Sequence, residues 1–202
     1  MSTEAPRRLR ADAARNSERL IRAAREVFAE QGPDARLDEI ARRAGVGVAT
    51  LYRRFPDKAV LVRAVLDQAF HERVAPFIEE AEQEEDAGSG LIAVLDATMS
   101  LLASEYNTLS AAGDLGVLTM DSRDSFLEQI MGLVRRAQQE GTVRDDLEPE
   151  DVPRIMIMLT SVLVTVERGS EGWKRYLALL SDGLSPQAAH PLPPVPPVAR
   201  SF

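Results

Sequence analysis

The stretch RLDEIARRAGVGVATLYRRFPDK, residues 36–58, constrains the fold more than any other part of the chain. Leu37, Ile40, Ala41 and Ala44 recur at i, i+3, i+4 and i+7, so they share one face of a helix. Ala41 is small where a second helix has to cross closely. Gly45 follows the last periodic residue, where a helix often ends in a backbone conformation that glycine adopts at little cost. Val46 can then plug the turn into a core. A second helix from about Val48 turns Leu51 and Phe55 inward, one turn apart. At about 100° per residue, Ala49, Thr50 and Arg53 face the other way, with Val48 and Tyr52 at the edges. Two short helices joined this way form a helix-turn-helix. Its second helix would present small, hydroxyl and basic side chains to a DNA groove.

The same residues resemble the signature of the TetR family of bacterial transcriptional regulators. Ile40-Ala41, Ala44-Gly45-Val46, Thr50-Leu51-Tyr52, Phe55 and Lys58 carry the resemblance. Upstream, Ile21, Ala24, Phe28 and Gly32 fit that family's first helix and its closing glycine. The resemblance covers about the first third of the chain; beyond about residue 70, length and helical pattern alone support it. It implies an all-α fold, with an N-terminal three-helix DNA-binding module and a C-terminal helical ligand-binding and dimerisation domain. It also implies roles. Thr50, Tyr52 and Lys58 would contact phosphates of a double-stranded operator, and Val48 and Ala49 would lie nearest the bases. Arg53 and Arg54 follow, with Arg53 better directed toward a guanine. Gly47 allows close backbone approach, and Arg36 stands where the family often has a phosphate-binding Thr or Ser. For Tyr52, packing of the ring and contact of the hydroxyl with phosphate are compatible. Val48 and Ala49 are apolar where the family often has polar residues. Contact with a thymine methyl, or readout of DNA shape, would then replace direct base hydrogen bonds.

Along the chain, residues 1–14 read as a flexible basic arm carrying Arg7, Arg8 and Arg10, either a minor-groove contact or a solvated tail. Residues 15–60 form the DNA-binding domain. Its first helix turns Leu20, Ala24, Val27 and Phe28 inward, and Asp57 is suited to cap the helix that starts at Lys58. Residues 61–185 read as the regulatory and dimerisation domain. Within it, Glu79 to Asp86 and the following Ala87-Gly88-Ser89-Gly90 are expected as a helix tail and loop. Helices are expected over 91–104, 121–139, 152–168 and 171–184, and the weakly patterned stretch 107–120, with Gly113 and Gly116, is expected to hold a short helix and loops. Residues 186–202, rich in proline, read as a disordered tail.

The family resemblance implies a cavity in the C-terminal domain for an unidentified small-molecule effector. Met99, Leu102, Tyr106, Met120, Phe126, Ile130 and Met156 are candidates to line it, and each also reads as ordinary core. The helix over 152–168 is apolar on nearly every face, and the next carries an apolar stripe. Ile155, Leu159, Val162, Val166, Trp173, Tyr176, Leu177 and Leu180 are therefore candidates for a homodimer interface, with completion of the chain's own core as the alternative.

The formal net charge of −8 would disfavour DNA if it were spread evenly. It is not: residues 1–60 hold 13 Lys and Arg against 9 Asp and Glu, whereas residues 61–202 hold 11 against 23. The basic excess sits with the helix-turn-helix. The chain has no cysteine and only His71 and His190, so a thiol nucleophile, a zinc site or a Ser-His-Asp constellation has no support, and no cofactor is expected. Residues 1–15 are charged and lack the apolar centre of a signal peptide. The apolar run from Ile155 to Val166 is interrupted by Thr160, Ser161 and Thr165 and is too short for a bilayer. The expectation is a cytoplasmic, non-enzymatic, DNA-binding repressor. An all-helical protein-interaction adaptor that does not read DNA is the alternative.

Overall fold

The computed structural model describes residues 4–114, 124–167, 169–187 and 190–195. Among these residues there are helices and no strands. The α-helices are α1 (Glu4–Gln31), α2 (Leu37–Ala44), α3 (Val48–Arg54), α4 (Lys58–Arg73), α5 (Ala75–Gln83), α6 (Ala87–Ser104), α7 (Tyr106–Asp114), α8 (Asp124–Gln139), α9 (Asp151–Val162) and α10 (Lys174–Leu184), and a 3-10 turn spans Gly32–Asp34. The chain divides into two compact units, one of Met1–Phe70 with Glu105–Thr119 and the other of His71–Ser104 with Met120–Phe202. The all-α fold expected from the sequence is what forms.

In the first unit, the predicted inward residues of α1 (Leu20, Ala24, Val27 and Phe28) are buried against Ile40 and Ala41 of α2, Leu51 of α3 and Leu61 and Val62 of α4. The unit extends past residue 60, the expected boundary, and takes in α7. Ala111 and Ala112 of α7 are fully buried in the same core, small enough to bring that helix close to α1. Asn107 Nδ2 donates to the Ala29 carbonyl at 2.6 Å. Arg25 Nε donates to Glu105 Oε1 at 2.6 Å, and Thr108 Oγ1 donates to Glu105 Oε2 at 3.1 Å. Glu105 is only 4% exposed, and a carboxylate that deep is tolerable only with such partners. At the other end of α1, residues 4–14 are helical where a flexible arm is expected.

Gly45 ends α2 in the left-handed region, at φ 63° and ψ 37°. Its N–H donates to the Arg42 carbonyl at 3.1 Å, and the Val46 N–H donates to the Ala41 carbonyl at 3.0 Å. These two bonds satisfy carbonyls that α2 leaves open, and Val46 packs against the core as the turn's apolar plug. We expect Gly45→Ala to cost roughly 1–2 kcal/mol through the left-handed backbone alone. The added Cβ would also lie 2.7 Å from Arg19 Nη2, which must move aside. A urea-unfolding midpoint checks this.

In the second unit α6 is central and packs against α5, α8, α9 and α10. It is long and apolar enough to cross a membrane, but Leu91, Val94, Leu95, Met99 and Leu101 are buried in the unit's core. Ala87 to Gly90, expected as loop, form its first turn. Asp86 Oδ1 caps that turn by accepting from the N–H groups of Gly88 at 3.0 Å and Ser89 at 3.2 Å. Gly90 is there for contact: a Cβ on it would lie 2.8 Å from Ala81 Cβ on α5.

Helix α9 ends at Val162, short of the expected 168. Thr160 and Ser161 both donate their hydroxyls to the Ile157 carbonyl, at 2.9 and 2.8 Å, and Thr165 donates to that of Val162 at 2.8 Å. Such side-chain bonds compete with the helix for its own carbonyls. The described part of the proline-rich tail is held, where disorder is expected. Arg144 Nη2 donates to the His190 carbonyl at 2.8 Å, and the Leu192 N–H donates to Asp146 Oδ2 at 2.7 Å.

Candidate nucleic-acid interface

The burial pattern of α3 assigns its two faces. Leu51 is fully buried and Phe55, just past the helix, is 4% exposed. Val48 is 43% and Tyr52 49% exposed, and Gly47, Ala49, Arg53 and Arg54 are exposed beside them. Thr50 is half-buried and lies 3.4 Å from Arg53 Nη2 through its hydroxyl. The helix starts cleanly because the Gly47 carbonyl accepts from the N–H groups of Thr50 at 2.8 Å and Leu51 at 3.1 Å. Val48, Ala49, Tyr52 and Arg53 thus share one solvent-facing strip, narrow and convex enough for a major groove.

The cations around that strip are not equivalent. Arg36 holds Asp38 with two bonds, at 3.1 and 3.2 Å. This pairing keeps the Asp38 carboxyl below its ordinary range and pushes the guanidinium up. A phosphate contact by Arg36 would have to replace that partner. Arg42 pairs with Glu39, and Arg43 reaches across to Glu30 at 2.6 Å, tying α2 to α1. Lys58 donates to the Pro33 carbonyl, and its ammonium sits 5.9 Å from the Phe28 ring centroid. It opens α4, whose first turn is capped by Asp57, with the Val60 N–H donating to Asp57 Oδ1 at 2.8 Å. Arg54 behaves differently from Arg53. Its Nε donates to Ser17 Oγ at 2.8 Å, and the guanidinium carbon lies 5.7 Å from the Phe55 ring centroid. It therefore engages α1, a role the sequence reading of Arg54 missed. The available signal was Ser17 itself, a hydroxyl in register with Leu20 and Ala24 on the inward stripe of α1.

The expected effector-pocket residues divide between the two units. Met99 and Ile130 are buried in the second unit, Leu102, Phe126 and Met156 are half-buried there, and Tyr106 opens α7 in the first unit. Met120 lies outside the described residues. A groove of about 550 Å³ on α5 and α8 is lined instead by Glu82, Glu128, Gln129, Gly132, Leu133 and Arg136.

The expected interface residues split into two groups. Leu159, Trp173 and Leu177 are buried within the chain itself and so belong to its core, because α9 and α10 turn them toward the rest of the second unit. Ile155, Val162, Val166 and Leu180 are half-buried, and Tyr176 is exposed. Ile157, Met158, Val164 and Leu179, outside the expected set, are more than half exposed.

Comparison with known proteins bears on both units. Residues 20–65 match the model for bacterial regulatory proteins of the tetR family, and residues 77–186 match that for the C-terminal domain of SbtR-like transcriptional regulators. The chain is 32% identical over 149 residues to the HTH-type transcriptional regulator SrpR of Pseudomonas putida, covering 70% of each. Among solved structures, the TetR transcription regulatory protein of Mycobacterium vanbaalenii is 31% identical with a TM-score of 0.61, over 88% of this chain and 99% of that one. A TetR transcriptional regulator of Streptomyces coelicolor is 27% identical with a TM-score of 0.62, over 85% and 99%.

Proposed function

The chain belongs to the TetR family of bacterial transcriptional regulators, and from that premise we propose that it is a homodimeric, cytoplasmic repressor released from its operator by a small-molecule effector. The observation that carries DNA reading is the exposed strip of Val48, Ala49, Tyr52 and Arg53 over the buried Leu51 and Phe55. Two such strips, related by the dimer's two-fold axis, meet half-sites of an inverted repeat in the major groove. Tyr52, Thr50 and Lys58 hold phosphates, Lys58 giving up the Pro33 carbonyl to do so. Gly47 and the N-terminus of α3 approach the backbone, and Arg36 adds a phosphate contact when it leaves Asp38. Arg53 reads a base edge, while Val48 and Ala49 make apolar contact with thymine methyls.

An apolar or amphipathic effector fits the residues available. Leu102, Phe126 and Met156 are half-buried on α6, α8 and α9, and methionine adapts readily to irregular apolar ligands. Met99 and Ile130, buried in the same unit, complete the proposed lining. The effector then acts by preferring the conformation with the wrong spacing of the DNA modules, and its differential affinity sets how far operator binding falls.

Two substitutions separate affinity from specificity. Lys58→Ala should weaken binding to every duplex and lower the slope of log affinity against log salt by about 1 per head. Arg53→Ala should leave non-specific binding close to wild type and change the preferred base at one position of each half-site. Fluorescence anisotropy across a salt series reads both. If neither substitution alters binding to a selected duplex, the roles assigned to these residues are wrong.

A further inference from the structure

We propose that Ser17 and Arg54 are positioning residues that set the attitude of α3 on the DNA, so that they govern sequence discrimination while making no phosphate contact. This rests on the DNA-binding function proposed above. From within a single turn, helix α1 touches the turn that leads into α3 and the last residue of α3. Ahead of α3, Arg19 Nη2 donates to the Gly45 carbonyl at 3.4 Å. At its last residue, Arg54 Nε donates to Ser17 Oγ at 2.8 Å.

The Ser17 hydroxyl both donates and accepts. It donates its one proton to the Ala13 carbonyl at 3.0 Å, which leaves a lone pair for Arg54. Ser17 is only 9% exposed, so the hydroxyl end of this bond is buried while the Arg54 side chain reaches it from the surface. The Arg54 guanidinium also lies against the Phe55 ring, 5.7 Å from its centroid. Phe55 is itself anchored, buried in the core with its N–H donating to the Leu51 carbonyl at 2.7 Å. A planar guanidinium satisfies the ring and the hydroxyl together. A lysine ammonium on a flexible stem keeps the charge but not that geometry.

Between these two points lie Val48, Ala49 and Arg53, whose contacts with bases depend on the tilt and roll of α3. Loosening one end leaves every phosphate-binding cation in place and blurs the base contacts. Affinity for the correct site falls more than affinity for any other. This is a different signature from the loss of a phosphate ligand, which weakens all sequences alike.

The test uses the full chain with an inverted-repeat duplex recovered by selection on the wild-type protein and a scrambled duplex of equal length. Ser17→Ala and Arg54→Lys should each lower the ratio of the two affinities by roughly tenfold, the scale of one charge-assisted hydrogen bond. Their salt slopes should match wild type, since neither changes the charge. The double variant should be no worse than either single one, because both remove the same link. Ser17→Thr, which keeps the hydroxyl, should restore discrimination. Circular dichroism spectra and melting temperatures confirm that each variant is folded.

The brace is overturned if Ser17→Ala discriminates as well as wild type, or if Arg54→Lys is silent, as expected of a simple phosphate ligand. Failure of the wild-type protein itself to distinguish the two duplexes would instead remove the DNA-binding function on which the brace depends.

Discussion

Replacing Leu51 with alanine is expected to cost the first unit about 2–5 kcal/mol, the range for truncating a fully buried leucine with incomplete collapse of the cavity. Leu51 has no solvent exposure and sits among Leu20, Phe28, Ile40 and Leu61, so α3 loses its main attachment. Tyr52 is the next residue and faces the other way. Tyr52→Phe keeps the ring and removes one hydroxyl from a side chain that is half exposed, so stability should change by less than about 0.5 kcal/mol. DNA affinity should fall several-fold on every sequence through loss of the phosphate contact proposed for its hydroxyl. Urea unfolding and anisotropy on the same two variants separate the roles: Leu51→Ala shifts the unfolding midpoint, and Tyr52→Phe shifts only binding. If Tyr52→Phe unfolded the unit and Leu51→Ala did not, the two faces of α3 would be assigned backwards.

A charged residue on the exposed apolar face of α9 and α10 should abolish the homodimer proposed above. Ile157, Met158 and Val164 on and after α9, and Leu179 on α10, are more than half exposed in the single chain. Burying each such side chain against a second copy is worth about 1.5–3 kcal/mol. A glutamate at Leu179 or Met158 replaces that gain with a charge to desolvate. Leu179→Glu should therefore sediment as a monomer at concentrations where wild type is a dimer. On an inverted-repeat duplex its affinity should fall by about 100-fold or more, because the second head no longer binds at high effective concentration. Its salt slope should drop to about half, since one head neutralises half the phosphates. A variant that stays dimeric would place the interface elsewhere.

What could be read from the sequence was local. Gly45 announces the end of α2 because its left-handed backbone is a property of that residue, and Asp57 announces α4 because a cap bonds two or three residues away. The inward pairing of Leu51 with Phe55 follows from helical spacing alone. The strip formed by Val48, Ala49, Tyr52 and Arg53 follows with it.

What could not be read depended on distant partners. Arg53 and Arg54 are alike in sequence, and only the position of Ser17, 37 residues away, separates a candidate base reader from a brace. Helix α7 is only faintly legible, within the weakly patterned stretch 107–120, because its buried contribution is the small pair Ala111 and Ala112, which give little apolar signal. Trp173 and Leu177 lie on a legible apolar stripe, but periodicity tells only that a face is covered, not by what. They are covered by their own chain, while apolar residues beside them, such as Tyr176 and Leu179, are left exposed. The contacts of His190 and Leu192 are illegible for a similar reason: their hydrogen-bond partners, Arg144 and Asp146, lie far back in the sequence.

The most direct measurement is selection of random duplex DNA by the purified full chain at low salt, with sequencing of the enriched pool. Enrichment of one inverted repeat, lost when Arg53 and Tyr52 are replaced together by alanine, is the result expected of a dimer reading DNA through α3. A pool that stays random, with no salt-sensitive affinity for any duplex, would contradict sequence-specific DNA binding and favour a protein-interaction role for the same helices.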